Sequence, residues 1–224
     1  MNQNLYRCGR NLVFGLLAIS GSGLWAQNTE PARQKAPSKV VLVLGDSLSA
    51  EYGLVRGTGW VALLEKRLVA EKISATILNA SVSGETTSGG RSRLPALLLQ
   101  HQPSVVVIEL GANDALRGLA LQNTEENLAQ MTQAAQNSGA KVLLLGMQVP
   151  PNYGSDYARK FAGIFEWVAQ KSKAGVVPFF LKGIADSEGD GARALFQADQ
   201  IHPRAQAHPK MLENVWPALR KLLH

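Results

Sequence analysis

The sequence predicts an α/β domain, a parallel sheet sandwiched between two layers of helices. Three observations predict it. From residue 39 onward, short apolar runs alternate strictly with segments whose apolar residues recur every three or four positions. Four of the five apolar runs are nearly continuous, the pattern of parallel strands covered on both faces. The chain of 224 residues carries no internal repeat or low-complexity tract, and its length after a polar lead-in suits one domain of ordinary size.

The elements follow in order. The first strand is expected over Val40–Leu44, and the first helix over Trp60–Ala70. Ala75–Leu78 is a mixed run that suits a strand near a sheet edge. A helix over Arg93–Gln100 leads to a strand over Val105–Leu110. The next helix is expected over Thr124–Asn137, with Thr124 as a hydroxyl N-cap, Glu125 and Glu126 in the first turn, and Ser138-Gly139 as the stop. Val142–Met147, a helix over Asp156–Lys171, and Val176–Phe180 complete the sheet. The last helix spans Ala205–Leu223, with Pro217 predicting a kink or a break.

Before the domain, residues 1–26 have the layout of a cleaved secretory signal. Arg7 and Arg10 form a basic start, Asn11 to Ile19 is a short apolar centre, and Leu24-Trp25-Ala26 ends on a small residue. The apolar centre is shorter than the ~20 residues a membrane span needs. Leu24, three residues before the cut, is bulkier than such sites favour. Residues 27–38, with Pro31 and Pro37, read as a flexible linker, which leaves residues 39–224 as one domain. The lone Cys8 falls in the leader, so a mature chain would have neither a disulfide nor a catalytic thiol. These features predict a periplasmic or secreted location.

The formal net charge is +6, from 23 Lys and Arg against 17 Asp and Glu, and part of that excess lies in the leader. The basic residues are scattered, with no basic-aromatic tract of the kind that grips nucleic acid. A solvated surface is the simplest reading, with at most transient attraction to an anionic membrane surface.

Chemistry-bearing residues sit at the ends of the predicted strands. Gly45-Asp46-Ser47-Leu48-Ser49 follows the first, Ser83-Gly84-Glu85-Thr86 the second, and Gly111-Ala112-Asn113-Asp114 the third, while Asp199-Gln200-Ile201-His202-Pro203 precedes the last helix. In an open parallel sheet, ligands bind outside the carboxyl ends of the strands, so these segments converge on one site. A serine hydroxyl needs a base to become nucleophilic. His202 can take its proton, and Asp199, three residues earlier on one side of a helical turn, can orient the imidazole. The Ser47 and Gly84 backbone N–H groups and the Asn113 amide could receive the oxyanion. Taken singly these residues have structural readings: Ser47 as a helix cap, Gly84 and Asn113 as turn residues. Asp46 and Asp114 are expected to hydrogen-bond within their own loops. His208 is the rival base, read as a surface residue of the last helix.

Competing motifs fit less well. Gly45-Asp46-Ser47-Leu48-Ser49 lacks the final glycine of a Gly-x-Ser-x-Gly elbow. Gly57-Thr58-Gly59-Trp60-Val61-Ala62 mimics a dinucleotide loop but starts a dozen residues after its strand. The four histidines show no metal-ligand spacing.

In order and spacing these blocks resemble the SGNH (GDSL-type) hydrolases, whose four block residues correspond to Ser47, Gly84, Asn113 and His202. Asn79 to Thr87, Leu110 to Asp114 and Gly146 to Gly154 extend the resemblance to the bacterial periplasmic arylesterase, acyl-CoA thioesterase I and lysophospholipase branch. That resemblance implies a flavodoxin-like three-layer α/β/α sandwich with a central five-stranded parallel sheet. It implies a monomer that cleaves acyl esters, thioesters or lysolipids with no metal or cofactor. It also places Leu116, Leu119, Leu121 and Pro150 along the acyl-binding surface, although the leucines could equally pack their own loop down. Two positions depart from the family pattern. Gln200 stands where glycine is common, and Arg204 stands where a small or amide residue is usual. The same constellation also accommodates a catalytically silent binding module or a sugar O-deacetylase.

Overall fold

The computed structural model describes residues 39–186 and 190–224; the predicted signal and linker lie outside the described residues. Five strands form one parallel sheet in the order β2-β1-β3-β4-β5. They are β1 (Lys39–Gly45), β2 (Ala75–Asn79), β3 (Val105–Glu109), β4 (Lys141–Leu145) and β5 (Gly175–Val177). This is the expected fold class and strand number. Val105 to Ile108 and Val41 to Leu44 are fully buried because β1 and β3 are covered on both faces. The mixed β2 lies at an edge, as its sequence predicts.

The helices are α1 (Trp60–Ala70), α2 (Thr87–His101), α3 (Ala112–Leu116), α4 (Leu121–Asn137), α5 (Ser155–Ser172), α6 (Asp190–Ala194) and α7 (His208–Leu222). Short 3₁₀ turns occupy Pro151–Tyr153 and Ala205–Ala207. α1 packs against α7 on one face, while α2, α4 and α5 pack side by side on the other. The crossover from β1 through α1 leads outward to β2, and the chain then returns past β1 to β3. That reversal puts a topological switch point at the carboxyl ends of β1 and β3.

Several boundaries depart from the sequence expectations. α2 begins at Thr87 rather than near Arg93, although Thr87-Ser88-Gly89-Gly90 are poor helix formers. Thr86 caps this start by accepting the Gly89 N–H at 3.3 Å, and the Asp114 carboxylate accepts the Thr87 N–H at 2.9 Å. α4 begins at Leu121, three residues before the expected cap, so Thr124 lies inside the helix, fully buried. β5 is only three residues long because Pro178 cannot donate to a ladder. Phe180 is still buried, and its N–H bonds to the Gly146 carbonyl at 2.8 Å. α7 runs through Pro217 without a break: the proline is on the exposed face, where water can satisfy the carbonyl it frees.

Candidate active site

The Ser47 turn grows out of β1. Gly45 pairs with Glu109 across the sheet, and a β-carbon at residue 45 would come within 2.8 Å of Glu109 Oε2 and Ser49 Oγ. Only glycine fits this close approach. Asp46 then reverses the chain: its carbonyl accepts the Ser49 and Ala50 N–H groups at 3.2 and 2.9 Å, and its Oδ1 accepts the Leu48 N–H at 3.0 Å. Ser47 is left half-buried at the apex.

His202 Nε2 lies 2.9 Å from Ser47 Oγ, across 155 positions of sequence. Its Nδ1 lies 2.7 Å from Asp199 Oδ2. Asp199 Oδ1 accepts the backbone N–H groups of Ile201 and His202 at 2.9 and 3.0 Å. The segment is therefore an aspartate-centred turn, and the helical turn expected from the three-residue spacing is corrected. Partial burial opposes charge on Asp199, but the two N–H donors and the imidazole outweigh it and hold the carboxyl at about 2. The Tyr52 ring packs on the His202 ring with centroids 4.4 Å apart.

Gln200 has a φ of +57° at the centre of this turn. A left-handed conformation costs a non-glycine residue about 1–2 kcal/mol, partly offset by the extra chain entropy glycine loses on folding. Gln200→Gly should therefore stabilise the fold by up to about 1 kcal/mol. A thermal melt checks this, and a lower melting temperature contradicts it. Arg204, the second departure, is exposed and donates from Nε to the Phe196 carbonyl at 2.6 Å.

The other two blocks meet the same end of the sheet. Gly84 follows β2 with a φ of +77°, and its carbonyl accepts from Arg117 Nη2 at 2.7 Å. The loop before it is tied to β1 by the Val82 N–H donating to the Gly45 carbonyl at 3.0 Å. Asn113 lies in α3, after Gly111 with its φ of +122°. Its Nδ2 donates to Asp46 Oδ2 at 2.9 Å. A primary amide carries two hydrogens, so this bond fixes the amide and uses one of them.

Asp46 thus reaches beyond its own loop. So does Asp114, which accepts from the N–H and hydroxyl of Thr87 and, at 3.4 Å, from the Thr124 hydroxyl. The expectation of purely local bonding is corrected for both. Asp114 instead joins the starts of α2, α3 and α4, the elements that carry the Gly84 and Asn113 loops.

Beneath the Ser47 turn lies a buried acid that sequence reasoning passed over. Glu109 ends the apolar run of β3, fully buried, and its Oε2 accepts from Ser49 Oγ at 2.7 Å and from the Asp46 N–H at 3.3 Å. Burial and the neighbouring Asp46 charge push the Glu109 carboxyl well above its ordinary range. Burial likewise raises Asp46 to about 6, against the Leu48 N–H, Glu109, His202 and Asn113. Glu109 is therefore the member of the pair that stays protonated. A charged residue closing a buried strand was the available signal.

His208 is also corrected. It is 2 % exposed, and its Nδ1 accepts the Trp60 N–H at 3.0 Å. Burial lowers its pKa from the usual 6.5. Of the residues expected along an acyl-binding surface, Leu116, Leu119 and Pro150 are exposed, while Leu121 starts α4 and packs against the core. Among the described residues, no group of three or more His, Cys, Asp or Glu side chains is placed to hold a metal ion.

Comparison with known proteins identifies the family. The model of the GDSL-like lipase/acylhydrolase family matches residues 43–209. Esterase TesA of Pseudomonas aeruginosa is 51 % identical over 190 residues, covering 85 % of this chain and 92 % of that protein. Thioesterase 1/protease 1/lysophospholipase L1 of Escherichia coli K12 is 36 % identical over 189 residues, covering 84 % of this chain and 87 % of its own. A crystal structure of the psychrotrophic esterase EstA from a Pseudoalteromonas species, inhibited by monoethylphosphonate, superimposes with a TM-score of 0.77 at 38 % identity, covering 83 % of this chain and 99 % of that one. The chain belongs to the GDSL-like lipase/acylhydrolase family, the SGNH hydrolases, and is an acyl-ester hydrolase.

Proposed function

We propose that the protein cleaves acyl esters and thioesters through an acyl-enzyme on Ser47. The observation that carries this reading is the unbroken chain from Ser47 Oγ to His202 to Asp199, at 2.9 and 2.7 Å. In the first step Ser47 Oγ attacks the acyl carbon while His202 Nε2 takes the hydroxyl proton. Asp199 stays ionised, keeps the proton of His202 on Nδ1, and stabilises the imidazolium. The carbonyl oxygen, now negative, is received by the Ser47 and Gly84 N–H groups and the free Asn113 amide hydrogen. His202 returns its proton to the departing alcohol or thiol. Water, deprotonated by the same histidine, then splits the acyl-serine ester, releases the acid and restores the hydroxyl.

Asn113 tests the oxyanion assignment. Asn113→Ala should lower kcat by about a hundredfold or more with little change in KM, because the bond strengthens mainly in the transition state. Asn113→Asp should be at least as harmful, since it sets a second carboxylate against Asp46 and the oxyanion. A destabilised but fully active alanine variant would remove Asn113 from the site.

The proposed substrate is an acyl ester, acyl thioester or lysolipid, the classes in the names of the relatives. Exposed Leu116, Leu119 and Pro150 would meet the acyl chain, with Leu121 supporting them from α4. Each buried methylene contributes about 0.8 kcal/mol, so affinity should rise roughly fourfold per methylene until the apolar surface ends. We propose further that residues 1–26 direct export, that residues 27–38 link to a single monomeric domain at 39–224, and that the enzyme works outside the cytoplasm. A panel of nitrophenyl acyl esters, acyl-CoAs, lysophospholipids and acetylated sugars tests the substrate class. Turnover confined to acetylated sugars, or none at all, would overturn it.

A further inference from the structure

α1 begins without a capping side chain from its own first turn, since Gly59 precedes it. Two side chains from elsewhere take the N–H groups at this end. The Glu51 carboxylate accepts from Gly57 at 3.0 Å and from Gly59 at 2.7 Å. His208 Nδ1 accepts from Trp60, the first residue of the helix, across 148 positions of sequence. An imidazole nitrogen that accepts an N–H bond carries no proton, so this contact defines His208 as the neutral ring with its hydrogen on Nε2. The carbonyl of Pro203, the residue after His202, faces the same ring as an acceptor.

His208 therefore stands between the two halves of the proposed catalytic pair. On one side, the Trp60 indole Nε1 donates to Ser49 Oγ at 3.1 Å, and Ser49 belongs to the nucleophile turn. On the other, Pro203 is bonded directly to His202. The base loop is otherwise held mostly by itself, through Arg204 N to the Leu195 carbonyl at 2.7 Å and Gln197 N to the His202 carbonyl at 2.8 Å. Besides Ser47 itself, its ties to the nucleophile segment among the described residues include Gln197 Nε2 donating to the Tyr52 carbonyl at 2.9 Å and the Tyr52 ring packed on the His202 ring.

We propose that neutral His208 is a positioning residue that holds the His202 loop against the Ser47 turn, and that its protonation releases this hold. The inference rests on the Ser47–His202 reading above. A proton on Nδ1 would set two buried donors, that N–H and the Trp60 N–H, against each other. Burial and the positive end of α1 both disfavour the cation, while the Pro203 carbonyl and the Glu51 charge favour it. With the balance toward the neutral ring, the stability His208 supplies is fully present above its unfolded value of 6.5. It is lost as pH falls through the lower folded value.

The test compares wild type, His208→Gln and His208→Ala with a nitrophenyl ester between about pH 5 and 8. Glutamine offers one acceptor and one donor group and takes no proton in this range. His208→Gln should keep kcat within about threefold of wild type near pH 8, whereas His208→Ala should lose tenfold or more, since small misplacements of a base are costly. On the acid side, the logarithm of kcat/KM for wild type should fall more steeply than for His208→Gln, because only wild type loses the neutral His208 ring. An alanine variant as active as wild type, or a glutamine variant with an unchanged acid limb, overturns the proposal. If the variants fail to fold, nitrogen NMR of the wild-type imidazoles decides. His208 Nδ1 must be unprotonated at neutral pH, and its protonation must accompany loss of Trp60 amide protection; a protonated Nδ1 at neutral pH overturns the proposal. Ser47→Ala is run in parallel: if it is inactive while the His208 variants match wild type, only this inference fails, whereas an active Ser47→Ala removes the reading beneath it.

Discussion

Ser47→Ala should lower kcat/KM for an acyl ester by about a millionfold, to a residue of rate supplied by the oxyanion donors and substrate binding alone. The change removes one half-buried oxygen whose partner is His202 Nε2, so the melting temperature should stay close to that of wild type. Ser49 is the control. It is 1 % exposed, donates to Glu109 and accepts from the Trp60 indole, so its hydroxyl is occupied and shielded. Ser49→Ala should destabilise the fold by about 1–3 kcal/mol, because it leaves the indole N–H buried without an acceptor. A catalytically dead but stable Ser49→Ala beside an active Ser47→Ala would exchange the roles of the two serines.

His202→Ala should be nearly as damaging as loss of the serine, since the two act as a unit. Asp199→Ala should cost less, about ten-thousandfold, because a histidine without its orienter still finds the productive tautomer part of the time. The pH dependence separates the two groups. Asp199 is held at about 2, so it remains ionised across the range of about pH 5 to 8. A fall in rate on acidification within that range is then not protonation of Asp199, and His208 contributes to it if that residue acts as proposed. Kinetics of both variants across pH check this. An acid limb that persists when Asp199 is removed fits the assignment; a His202→Ala variant with wild-type turnover contradicts it.

The central strands were legible because burial on both faces leaves an uninterrupted apolar run, and the mixed Ala75–Leu78 announced its edge position by the same logic. The start of α2 was not legible, because Thr87-Ser88-Gly89-Gly90 lacks helix propensity and is held by Asp114, a residue 27 positions away. Thr124 had the right chemistry for a cap but spends its hydroxyl on Asp114, and the helix begins a turn earlier. The site divides in the same way. Ser47, Gly84, Asn113, Asp199 and His202 sit in recognisable local motifs after strands or before a helix, so sheet topology alone brings them to one end. Glu109 and His208 carry no local motif. Their state is set by burial and by partners 60 and 148 positions distant, which a linear reading does not contain.

The central claim is that one acyl-enzyme forms, and that it forms on Ser47. A phosphonate ester that transfers its phosphorus to an activated serine tests this without knowledge of the natural substrate. The reagent is incubated with wild type, Ser47→Ala and His202→Ala, and the adduct is located by peptide mass spectrometry. The mechanism predicts one phosphonyl group per wild-type chain, carried by Ser47, with loss of esterase activity in step with labelling. It predicts no adduct in Ser47→Ala and very slow labelling in His202→Ala. An adduct on Ser49 or any other residue, or full inactivation with Ser47 unmodified, would contradict it.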